Sequence, residues 1–86
     1  MACYKVELKN SVKKSLASLP KSVINKITGL IDALANNPYS PGYKKLMGSD
    51  HTYRIRTGDY RIIYSVFDDC LTIHIVKIGH RKDVYK

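Results

Sequence analysis

The stretch Tyr53-Arg54-Ile55-Arg56-Thr57-Gly58-Asp59-Tyr60-Arg61-Ile62-Ile63-Tyr64 decides the fold. Two runs of alternating apolar and polar residues meet at Gly58-Asp59. A two-residue loop of this kind joins antiparallel strands, because glycine takes a positive φ without a Cβ clash. With that loop Thr57 faces Tyr60, Arg56 faces Arg61, Ile55 faces Ile62 and Arg54 faces Ile63. Side chains alternate along a strand, so Arg54, Arg56 and Arg61 share one face while Tyr53, Ile55, Ile62 and Tyr64 share the other. Like charges opposed on a sheet are destabilising, and folding alone gives little reason to crowd three guanidinium groups there. The pattern points to an anion site.

Downstream, Val66-Phe67 leads through Asp68-Asp69 into Cys70-Leu71-Thr72-Ile73-His74-Ile75-Val76-Lys77-Ile78, a second hairpin. With the two aspartates as its loop, Val66 faces Leu71, Tyr64 faces Ile73, Ile62 faces Ile75 and Arg61 faces Val76. The apolar face then continues into the third strand. The opposite face carries Arg61, Ile63, Ser65, Thr72, His74 and Val76.

Upstream, Cys3 to Leu8 alternates Tyr4, Val6 and Leu8 with Lys5 and Glu7, the period of a half-buried strand. Asn10 or Ser11 caps a short helix carrying Val12, Leu16 and Leu19 and ending near Pro20. From Lys21 to Asn36, Val23, Ile24, Ile27, Leu30, Ile31 and Leu34 form one apolar stripe, and Asn36-Asn37-Pro38 ends the helix. Gly29 weakens the middle of this helix by about 1 kcal/mol relative to alanine, which suits a strand approaching closely. Residues 38–52 read as a loop. Its Lys44 and Lys45 are either a solvated pair or contacts to a nucleic-acid backbone. The expected architecture is α+β with two layers, in the order β-α-α-β-β-β. An N-terminal strand and a helical hairpin pack on a mainly antiparallel sheet.

The 86 residues suit a single domain, 1–86, with one modest core. Fifteen Lys and Arg against seven Asp and Glu give a formal charge of +8, which favours a polyanion or an acidic protein as partner. Residues 1–50 hold eight lysines and no arginine; all four arginines lie in the last 36 residues. Arginine offers a planar fork suited to phosphate, so the arginines mark the site and the lysines supply the field. Cys3 and Cys70 are too few for a disulfide framework, and no Cys, His and carboxylate cluster has metal-ligand spacing. No cofactor or metal is expected. With no signal-peptide pattern and no apolar run approaching the ~18 residues of a membrane span, a cytoplasmic protein with no membrane association is expected.

The chain closes on Gly79-His80-Arg81-Lys82-Asp83-Val84-Tyr85-Lys86, too polar for another core strand. On the register above, this tail leaves beside the Gly58-Asp59 end of the arginine face. His80, Arg81 and Tyr85 are then within reach of the cluster. These residue types suit cleavage of RNA by its own 2′-hydroxyl, which needs a base, cations around the phosphorane and an acid for the leaving oxygen. Arginine stays protonated, so Arg54, Arg56, Arg61 and Arg81 act through charge. Histidine as a residue type titrates near neutrality, which makes His80 a candidate to move a proton; Tyr85 can do so only if neighbouring cations lower its pKa.

In Tyr53-Arg54-Ile55-Arg56, Gly58-Asp59-Tyr60-Arg61-Ile62-Ile63-Tyr64 and Gly79-His80-Arg81-Lys82-Asp83-Val84-Tyr85, the sequence resembles the RelE/ParE superfamily of bacterial toxins, specifically the RelE-like messenger-RNA interferases. The resemblance covers almost the whole chain. It implies a RelE-like fold and a type II toxin that cleaves messenger RNA in the ribosomal A site without a metal, leaving a cyclic phosphate. It also implies a RelB-like antitoxin as partner, with operator DNA bound only through the antitoxin complex. The family's catalytic positions fall on Arg54, Arg56, Arg61, Arg81 and Tyr85. RelE itself carries lysines at the positions of Arg54 and Arg56, which leaves charge stabilisation to these arginines and makes His80 a candidate proton-transfer group. Lys44, Lys45 and Lys82 are candidate RNA contacts. Two other classes stay open: a ParE-like toxin that binds DNA gyrase without chemistry, and a basic RNA-binding domain without activity.

Overall fold

A computed structural model describes residues 4–39, 44–45 and 51–82. Strand β1 (Lys5–Leu8) leads into helix α1 (Asn10–Ala17) and helix α2 (Lys21–Asn36), followed by a two-residue strand β2 (Lys44–Lys45), β3 (Thr52–Thr57), β4 (Tyr60–Phe67) and β5 (Thr72–His80). The five strands form one sheet in the order β1-β5-β4-β3-β2, with β1 parallel to β5 and the other neighbours antiparallel. The two-layer α+β architecture and its element order are those expected from the sequence, except that the two-residue β2 lies where a loop was expected. The partner of the first strand, which the sequence left open, is β5.

The helices bury one face of the sheet. Val12 of α1 and Ile27, Ile31 and Leu34 of α2 meet Ile55, Ile62, Tyr64, Val66, Ile73, Ile75 and Ile78 in a single core. Helix α2 spans the residues its apolar stripe predicts. Pro20 occupies its N-cap, with the Pro20 carbonyl accepting from the Val23 and Ile24 amides. The N-cap of α1 is Lys9 and makes no side-chain capping bond, one residue before the expected Asn10 or Ser11. Gly29 is not approached by a strand: a Cβ built there meets nothing within 4 Å. Tyr64 is fully buried, and its hydroxyl donates to the Pro38 carbonyl at 2.7 Å, tying the end of α2 to the centre of the sheet.

The β3–β4 register is the expected one in every pair from Arg54↔Ile63 to Thr57↔Tyr60, and Gly58 takes φ +59 at the turn. The β4–β5 register is not. Val66 pairs with Ile73, Tyr64 with Ile75 and Ile62 with Ile78, in place of Leu71, Ile73 and Ile75. Two features cause the shift. The turn is longer than Asp68-Asp69, comprising a 3₁₀ turn over Asp68–Cys70 and Leu71 in the left-handed region at φ 48. A bulge then intervenes, because Tyr64 pairs with Ile75 while Ile63 pairs with Lys77, leaving Val76 as the extra residue. Arg61 consequently pairs with Gly79, not Val76, and β5 runs on to His80.

Candidate functional site

The sheet face away from the helices carries the arginines. Arg56 stands directly opposite Arg61, and Arg54 is opposite Ile63 and diagonal to Arg61. Such diagonal neighbours lie about 7–8 Å apart, within reach of long side chains. Arg56 is exposed, while Arg54 and Arg61 are half-buried. Ile63 is the one buried hydrophobic of the described residues outside the main core, and it forms an apolar floor on this open face.

The turn gathers the remaining groups. The Arg61 guanidinium folds toward the hairpin tip, where Nη1 donates to the carbonyls of Gly58 at 3.2 Å and Tyr60 at 3.1 Å. The Arg81 amide donates to the Asp59 carbonyl at 2.7 Å, and its Nε lies 3.9 Å from Asp59 Oδ1. Both side chains of that ion pair are largely exposed, so the backbone bond is the firmer tether. The tail therefore leaves at the Gly58-Asp59 end of the arginine face. A cleft of about 140 Å³ opens behind the same tip, lined by Val23 and Lys26 of α2 with Thr57, Gly58, Asp59 and Tyr60.

His80 lies elsewhere. It pairs with Tyr60, and its ring packs edge-on against the Tyr60 ring at 5.6 Å, on the side of the sheet that faces the helices. Its Nδ1 accepts the Lys82 amide proton at 3.2 Å, so the proton of the neutral ring sits on Nε2. The bulge at Val76 sets this outcome, since it shifts the alternation of β5 by one and carries His80 off the arginine face. Tyr85 lies outside the described residues. Lys44 stands opposite Arg54 and Lys45 opposite Tyr53, so only Lys44 shares a cross-strand row with an arginine.

One member of the open face escapes the simple reading of the sequence. Lys77, opposite Ile63 and diagonal to Arg61, joins the arginines because the bulge turns it away from the core. The signal is present as a break in period: Ile73, Ile75 and Ile78 are buried, an interval of two followed by one of three.

At the opposite end of the sheet, Asp68 accepts hydrogen bonds from the hydroxyls of Tyr4 and, at 2.7 Å, Tyr39. These bonds hold its carboxyl below the usual carboxylate range. Burial, helped by the bond to Asp68, raises Tyr39. The Tyr39 ring meets Tyr53 edge-on at 5.6 Å, and Tyr53 lies 5.9 Å from Tyr64. This cluster fastens the loop after α2.

Among the described residues, the fold is an α+β sheet with its helices on one face and an arginine-lined row on the other. The comparisons with known proteins define its family. Residues 6–85 match the family model of the ParE toxin of the type II toxin–antitoxin system parDE. A putative RelE1 toxin of Methanocaldococcus jannaschii is 40% identical over 86 residues, covering 96% of each chain. The RelE–RelB complex of Pyrococcus horikoshii superposes with a TM-score of 0.84 at 35% identity, covering 98% of this chain and 100% of its counterpart. The isolated RelE toxin of Escherichia coli shares the fold, with a TM-score of 0.80 at 20% identity over 90% of this chain and 83% of its own. The chain belongs to the RelE/ParE superfamily and is a RelE-like toxin of the type II toxin–antitoxin class.

Proposed function

We propose that this toxin is a metal-independent endoribonuclease that cleaves messenger RNA in the ribosomal A site in the cytoplasm. The observation that carries the reading is the convergence of Arg54, Arg56 and Arg61 on one open sheet face, with Arg81 tethered at its end. In the proposed reaction the 2′-hydroxyl loses its proton and attacks the adjacent phosphorus. The guanidinium groups offset the charge of the phosphorane, the bond to the 5′ oxygen breaks, and that oxygen takes up a proton. The products are a 2′,3′-cyclic phosphate and a 5′-hydroxyl.

Arg61 occupies the centre of the cluster, so it carries the largest share of charge stabilisation. Its bonds to the turn carbonyls hold it at the hairpin tip, and substrate phosphate exchanges for them. Proton transfer is assigned first to Tyr85. His80 acts only from the rim, because reaching the arginine face means leaving its contact with Tyr60. Lys44, Lys45 and Lys82 are proposed contacts to the RNA backbone. A RelB-like antitoxin is the proposed partner, supported by the likeness to the Pyrococcus complex, and operator DNA is bound only through that complex.

A second reading, inhibition of DNA gyrase without chemistry, is favoured by the match to the ParE family model. Mapping transcript ends after brief expression, and in an extract with and without ribosomes, separates the two. Cleavage leaving cyclic-phosphate ends is expected. Intact messenger RNA together with inhibited gyrase supercoiling overturns the ribonuclease reading.

A further inference from the structure

We infer that Lys77 forms, with Arg54 and the Ile63 floor between them, a second phosphate subsite that holds the RNA strand beside the scissile bond. The inference rests on the ribonuclease reading and names a residue for which neither the sequence motifs nor the reaction above has a role.

The geometry comes from the bulge. Without Val76 as an extra residue, the alternation that buries Ile73 and Ile75 would send Lys77 into the core and Ile78 onto the open face. With it, Ile78 is buried opposite Ile62, and Lys77 stands opposite Ile63 on the arginine face. Burial of Ile78 accounts for the bulge but not for the lysine, since any polar or small residue satisfies an outward position. A lysine here lies diagonal to Arg61, where another cation adds repulsion.

Arg54 and Lys77 flank Ile63 in one cross-strand row, two strand spacings or about 10 Å apart at the backbone. That row sits one step along the strands from the Arg56–Arg61 pair. A narrow apolar floor between two cations, beside a stronger cation cluster, complements a single strand whose phosphates alternate with less polar sugars and bases.

The test is binding of a single-stranded RNA oligonucleotide made uncleavable by 2′-deoxy substitution, followed against salt concentration. Each phosphate contact adds about 0.7 to the slope of log K against log salt for a single strand. Lys77→Met, which keeps the aliphatic stem, is expected to lower the slope by about that amount and to raise KM more than it lowers kcat. Lys77→Arg is expected to retain both. Lys77→Gln repeats the test, and thermal unfolding checks that each variant folds. A wild-type slope and KM in Lys77→Met, with Arg61→Ala impaired in the same assays, overturns the subsite and leaves the ribonuclease reading standing. Loss of binding to an acidic peptide without any change toward RNA also overturns it, and makes the face a protein-docking surface. If the wild-type protein neither binds nor cleaves RNA, the ribonuclease reading and the subsite fall together.

Discussion

On one side of the sheet, Ile55, Ile62, Ile73, Ile75 and Ile78 meet the aliphatic stripes of two helices. On the other, Ile63 lies buried in a row with Arg54 and Lys77 and beside Arg61, with none of the described helices over it. The two faces alternate residue by residue along the same strands, yet they answer to different forces. Burial of apolar surface, about 25 cal/mol per Å², governs the first. The second gathers like charges whose mutual repulsion opposes folding and whose field suits a polyanion. On the proposed function, stability and activity are thus separated by the thickness of one sheet.

Ile62 and Ile63 give the sharpest contrast, being adjacent in sequence and on opposite faces. Ile62→Ala is expected to cost about 2–5 kcal/mol in urea unfolding while leaving the arginine face chemically intact. Ile63→Ala is expected to lose less, about 1–2 kcal/mol, because the stems of the flanking cations can close over the gap. Its larger effect is expected in RNA affinity. Equal stability losses with no change in RNA binding at either position would erase the distinction.

Gly29→Ala follows in size. Its site is exposed, in the middle of α2 and open on the side a methyl group would occupy, so a gain of about 0.8–1 kcal/mol is expected with activity unchanged.

The smallest effect is the pH dependence at Asp68. Hydrogen bonds from Tyr4 and then Tyr39 depress its folded-state pKa, so its contribution is present above the unfolded pKa and disappears as the pH falls through the folded value. The stability difference between wild type and Asp68→Asn is therefore expected to stay constant from neutral pH down to about pH 5, to begin shrinking near the unfolded-state value of about pH 4, and to be gone only below the lower folded-state value.

The two hairpins show what the sequence makes legible. The first was readable because Gly58 announces its turn and strict alternation leads into it on both sides. The second was not, because Leu71 adopts a left-handed conformation without the glycine or asparagine that normally signals one. Its bulge appears in sequence only as a single broken interval. The helix boundaries of α2 were legible from its stripe and from Pro20 and Pro38. Strand β2, two residues long, carries no periodicity to detect. At the site, the β3–β4 pairing made the arginine row legible, whereas the same bulge brought Lys77 in and took His80 out.

The central claim, that the open face acts on RNA through charge centred on Arg61, is tested most directly by Arg61→Ala in a translation extract, with thermal unfolding measured on the same preparation. The expected result is a fall in messenger-RNA cleavage of about 10²–10³-fold, the effect of removing one group that stabilises developing charge, with an unfolding midpoint close to wild type. Cleavage at the wild-type rate by a folded Arg61→Ala protein would contradict the account.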